Sequence, residues 1–83
     1  MNMAEIEKEA LKIVDNTLSS IDNVMKDWKN ADKKAKTKFL ARVERLKKWQ
    51  NILENWKKEF LAAKSEQRGR LLVQLHDLIG QMS

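Results

Sequence analysis

Residues 39–63 read FLARVERLKKWQNILENWKKEFLAA. Phe39, Val43, Leu46, Trp49, Leu53, Trp56, Phe60 and Ala63 recur there at steps of three and four. An α-helix turns once every 3.6 residues, so this spacing places all eight on one stripe. The pattern predicts a long central helix, running from about residue 32 to residue 64. Its opening differs from its body. Lys33, Lys34, Lys36 and Lys38 fill the first two turns, where the only apolar residues are Ala31 and Ala35. Cations are disfavoured at a helix N-terminus, which carries the positive pole of the backbone dipole. The apolar stripe begins only at Phe39, so burial does not hold this opening in place.

Before it, residues 3–28 form a second amphipathic segment. Leu11, Val14, Leu18, Ile21, Met25 and Trp28 alternate steps of three and four, the seam of a helical bundle. Ile6, Ala10, Ile13 and Val24 widen that seam into an arc broad enough to touch two neighbours. Lys29-Asn30-Ala31-Asp32 supplies the turn, and either Asn30 or Asp32 can cap the helix that follows. After it, Leu71, Leu72, Leu75, Leu78, Ile79 and Met82 make a compact apolar arc, with Val73 on the opposite side. Ser65 is the expected N-cap of this third helix, about residues 66–82, with Glu66 in its first turn. The alternative carries the central helix on to Gly69 as its terminating glycine.

The fold expected is therefore all-α: an antiparallel three-helix bundle with helices at about 3–28, 32–64 and 66–82, in one domain spanning 1–83. The 83 residues lie near the lower limit for a self-sufficient core. No proline interrupts the helices, and the only glycines are Gly69 and Gly80. The content of 42% hydrophobic and 35% charged residues fits a folded soluble chain. No cysteine is present, which removes disulfides, thiolate metal sites and thiol nucleophiles and suits an intracellular, cytoplasmic setting. No run approaches a membrane span, and Met1-Asn2-Met3-Ala4-Glu5 has no signal-peptide character.

Charge is divided sharply along the chain. Residues 1–28 hold three basic and six acidic groups, residues 29–64 twelve basic and four acidic, and residues 65–83 two of each. The net charge of +5 thus belongs to the central helix.

Helix lengths carry the functional argument. At 1.5 Å per residue the central helix spans about 50 Å and the third only about 25 Å. With short connections the neighbours are antiparallel, so the third helix covers the C-terminal half of the second and the N-terminal half of the first. At the other end Ile21, Val24, Met25 and Trp28 face Phe39, Leu40, Val43 and Leu46 with no third helix above them. Exposed apolar patches of this kind mark interaction surfaces. The expected apolar contacts are Ile21, Met25, Trp28, Phe39 and Val43. A second copy, giving a homodimer or larger homo-oligomer, or a protein partner of acidic character is expected to cover them.

Catalysis has little support. His76 is the sole histidine, and Asp77 beside it points in another direction on a helix, so the two form no dyad; His76 is expected to pack its ring edge at the border of the arc. Glu5, Glu7 and Glu9 spread across a helix rather than along one face and make no metal set. No glycine-rich phosphate loop and no nucleophile triad can be assembled. No catalytic residue, metal or cofactor is assigned. Trp56 is expected in the core, whereas Trp28 and Trp49 lie nearer the uncovered end, where a large ring can anchor a partner.

Lys33, Lys34, Lys36, Lys38, Arg42 and Arg45 could steer an acidic partner or neutralise phosphates. They do not line one face: Lys34, Lys38 and Arg45 group on one side, Lys33, Lys36 and Lys47 on another. A groove-reading helix concentrates its cations and adds Asn, Gln or Ser for base edges. Nucleic-acid binding is expected only as a non-specific alternative, and Arg68-Gly69-Arg70 alone is no RNA-binding signal. Membrane binding is opposed by the acidic first helix and by the bundle's need for the apolar face of the second. The leading expectation is a non-enzymatic protein-binding module, a small adaptor, inhibitor or regulator.

Overall fold

The computed structural model describes residues 2–82; Met1 and Ser83, the two ends of the expected domain, lie outside them. Three α-helices follow one another among the described residues, α1 (Met3–Lys29), α2 (Lys33–Ala62) and α3 (Ser65–Met82), with no strand. Each lies within two residues of the expected span, and the departures have local causes.

Asn2 caps α1, its side-chain oxygen accepting the Glu5 N–H at 2.9 Å. Glu5 in the first turn and Lys26 and Lys29 in the last complement the helix dipole. Of the two candidate caps for α2, Asp32 takes the role: its carboxylate accepts the Ala35 N–H at 2.8 Å. A cap of this kind is worth about 1 kcal/mol. It also places the nearest anionic group beside the lysine-rich opening, whose first turn contains no acid.

The junction between α2 and α3 differs from the expectation. Ser65 does not cap α3 but is its first residue. Lys64 holds the preceding position, and its carbonyl accepts from Gln67 at 2.9 Å and Arg68 at 3.1 Å. The chain leaves the helix at Ala63, whose ψ of 149° is extended. Gly69 does not terminate α2; it lies inside α3, and no described residue has positive φ.

All three helices contribute to one apolar core. Val14 of α1, Leu53 and Phe60 of α2 and Leu75 of α3 are buried, with Leu18, Trp49 and Leu71 packed around them. Full burial of such a side chain stabilises by roughly 1.5–3 kcal/mol. Trp56 is also in the core, as expected. Its ring stacks on Phe60 with centroids 4.8 Å apart, and its Nε1–H donates to the Leu71 carbonyl at 2.7 Å, joining α2 to α3. Val73 faces away and is 65% exposed.

Cross-helix contacts set the relative positions. Trp28, late in α1, reaches Lys36, early in α2, while Asp15 pairs with Lys57 at 2.6 Å. The contacts therefore run in opposite senses along α1 and α2. Trp56 meets Leu71, and Ile52 lies beside Leu78, so α2 and α3 are likewise reversed. Glu7 meets Arg68, and Ile13 lies across a groove from Ile79, so α3 follows α1 in the same sense. At about 1.5 Å per residue α2 spans about 45 Å and α3 about 27 Å. The overall extent of 48 × 21 × 17 Å is essentially the length of α2.

Candidate functional site

The end formed by the α1–α2 turn is held from within by Ile21, Val43, Met25 and Trp28. Ile21 and Val43 are 3% and 2% exposed, so these two candidate contact residues support the surface from beneath. Met25 is half-buried against the main core. Trp28 is half-buried and donates its Nε1–H to the Lys36 carbonyl at 3.1 Å, tying the end of α1 to the first turns of α2. Val43 is buried outside the main cluster, whereas Ile21 belongs to it, so this end is continuous with the core through α1.

Above these residues the surface is apolar and open. Val24, Phe39 and Leu40 are 45%, 43% and 43% exposed. Val24, Asp27 and Trp28 from α1 and Ala35, Phe39 and Arg42 from α2 line a groove of about 260 Å³ between the helices. Phe39 is thus the one member of the five apolar candidates that presents a largely open face. Val24 and Leu40 join it as surface residues that were expected to face the hairpin and were not among the five.

The basic candidates separate into two groups. Lys36 sits 5.9 Å and Lys47 6.0 Å from the Trp28 ring centroid, so these two cations clasp the indole. Such contacts are worth roughly 0.5–1 kcal/mol at exposed sites. Lys38 lies 5.5 Å from the ring of its neighbour Phe39. Lys33, Lys34, Lys38, Arg42 and Arg45 are exposed, and among the described residues none of them forms an ion pair. The acidic groups that are paired lie elsewhere: Asp22 with Lys26, Asp15 with Lys57 and Glu7 with Arg68.

Two further features escaped the sequence reading. A second apolar groove, of about 250 Å³, runs between α1 and α3 and is lined by Ile6, Ala10, Ile13, Leu72, Leu75 and Ile79. Arg68 is a structural staple. Its Nε donates to the Ala63 carbonyl at 3.2 Å, its Nη1 pairs with Glu7 at 3.1 Å, and its guanidinium lies 5.1 Å from the Phe60 ring. The only sequence cue was an Arg-Gly-Arg tripeptide, because its partners come from the end of α2 and from Glu7 near the start of α1.

His76 borders the α1–α3 groove, but its side chain is 92% exposed rather than packed, and its Nδ1 stands 3.9 Å from Asp77, beyond hydrogen-bond range. Among the described residues no group of three or more His, Cys, Asp or Glu side chains is placed to hold a metal ion. No described helix is long and apolar enough to cross a membrane. Compared with protein-family models, with curated proteins and with solved structures, the chain matches none.

Proposed function

We propose that this chain is a non-enzymatic protein-interaction module, a small adaptor, inhibitor or regulator built as an antiparallel three-helix bundle. Its α1–α2 end docks a partner or a second copy. One observation carries the reading: Val24 and Phe39 stand exposed on a groove whose α2 wall includes Arg42, a cation that has no ion-pair partner among the described residues. Leaving apolar side chains in water forgoes about 25 cal/mol for each Å² that could be buried. A contiguous patch of this kind is the usual mark of an interface. The buried Ile21 and Val43 and the half-buried Met25 and Trp28 give it a firm base.

A second reading assigns the same cations to nucleic-acid phosphates, contacted without sequence preference. The unpaired Lys33, Lys34, Arg42 and Arg45 favour it, and the affinity would fall steeply with salt.

The test combines sedimentation over a range of concentrations with capture of partners from the native source, using wild type and Phe39→Asp. Phe39 is open to solvent, so the variant is expected to keep its helicity while losing self-association or capture. A wild type that is monomeric at every concentration and captures nothing that Phe39→Asp fails to capture sinks the proposal. Binding to random duplex DNA that declines with salt and ignores Phe39→Asp supports the second reading instead.

A further inference from the structure

We infer that the groove at the α1–α2 end accepts an acidic amphipathic helix of another protein, laid along the flank of α1 that α3 occupies further up the molecule. The inference rests on the reading of this end as an interface and specifies what fills it.

The position follows from helix geometry. α3 meets α1 at Glu7 and along the groove walled by Ile6 and Ile13. Val24 lies eleven residues after Ile13, about three full turns, and so returns to the same flank of α1. Val24 walls the groove at the turn end, with Phe39 and Arg42 across from it. The two grooves thus occupy one side of α1. α3 forms the far wall of the upper one, and the lower one, walled by α1 and α2, presents an apolar trough with no α3 beside it. An amphipathic helix buries residues at steps of three and four in such a trough.

The charge of the occupant follows from the rim. Arg42 forms part of the α2 wall; Lys38 and Arg45 lie about one turn from it and Lys34 about two, all exposed and without ion pairs among the described residues. Carboxylates along one side of the incoming helix would meet these cations. Asp27 stands on the α1 wall, so the other side of the incoming helix should be neutral or basic. A second copy docked turn to turn would instead oppose two identical sets of cations, which is costly. A phosphate backbone would leave Val24 and Phe39 in water and face Asp27.

The experiment titrates the full chain with two synthetic amphipathic helices of about 18 residues, roughly five turns. They share one leucine stripe; Glu flanks the stripe in one and Lys in the other. Binding is read by amide chemical shifts and by fluorescence polarisation of a labelled peptide. The Glu-flanked peptide is expected to bind about tenfold or more tighter than the Lys-flanked one, with Lys38→Glu combined with Arg42→Glu reversing the order. The shifts should centre on Val24 and Phe39. Peptides equal within about twofold, or shifts centred on Ile6 and Ile79, overturn the inference. Should the chain self-associate through Phe39 while the Glu-flanked peptide does not bind, the occupant is a second copy; the interface stands and this inference falls. Duplex DNA binding lost in the Lys38→Glu and Arg42→Glu variant, without peptide binding, overturns it in favour of phosphate. No peptide binding together with no Phe39-dependent association removes both readings.

Discussion

Replacing Arg68 with Met tests how the chain's small core is held together at the α2–α3 junction. Methionine keeps an unbranched apolar stem of similar length and removes only the guanidinium. Three interactions are lost. The first is the hydrogen bond to the Ala63 carbonyl at 3.2 Å. This bond satisfies a terminal carbonyl of α2 and brings a cation to its negative pole, in a last turn that has no basic residue of its own. It is worth about 1 kcal/mol. The second is the pair with Glu7 at 3.1 Å, whose side chains are 29% and 19% exposed for Arg68 and Glu7; it contributes roughly 0.5–1 kcal/mol. The third is the guanidinium over Phe60 at 5.1 Å, worth roughly 0.5–1 kcal/mol. One side chain makes all three, so the sum is not additive, and the expected loss is about 2 kcal/mol. For a chain of this size total stability is about 4–12 kcal/mol, and the midpoint should fall by about 8–16 °C. Arg68→Lys retains the charge without the fork and should lose about 1 kcal/mol. Urea and thermal unfolding followed by circular dichroism measure both. An Arg68→Met variant within about 0.5 kcal/mol of wild type would refute the reasoning, because a change that small is typical of surface residues with no structural role.

Two other perturbations probe backbone and cap. Gly69→Ala and Gly80→Ala should each raise stability by about 0.5–1 kcal/mol: both glycines lie within α3 with no positive φ, and an added methyl meets nothing within 4 Å. A fall in the unfolding midpoint for either would show that α3 needs its glycines. Asp32→Ala should cost about 1 kcal/mol through loss of the α2 cap, and Asp32→Asn much less. Equal losses for the two in urea unfolding would show that the carboxylate's charge beside the lysines, and not its hydrogen bond, stabilises the opening.

The periodicities of α1, α2 and α3 were legible in the residues because each helix carries its own apolar stripe, whatever it packs against. The position of the α1–α2 turn was legible too, since Asn30 and Asp32 lie between two such stripes. The start of α3 was not. Ser65 is an intrinsically good cap, but Lys64 takes the preceding position, where its carbonyl receives two backbone N–H groups. A residue's capping preference is a local quantity of about 1 kcal/mol, and the break at Ala63 shifts the register of everything after it.

The candidate site divides along the same line. The exposed apolar residues and the concentration of cations at the turn end follow from the stripes, the helix lengths and the uneven charge, all of which are local or additive along the chain. Which apolar residues reach the surface is different, because it depends on the rotation of α1 against α2. Ile21 and Val43 turn inward while Val24 and Leu40 turn out. Residues three apart on a helix differ by about 60° in direction, so a modest roll of one helix decides between burial and exposure. Trp28 likewise became a tie between helices once its N–H met Lys36. The residues by themselves determined three helices, their lengths and a basic, incompletely covered end. Only the tertiary structure decided which side chains support that end and which face outward, and it built the Arg68 staple, because those outcomes depend on distances between segments that no local pattern encodes.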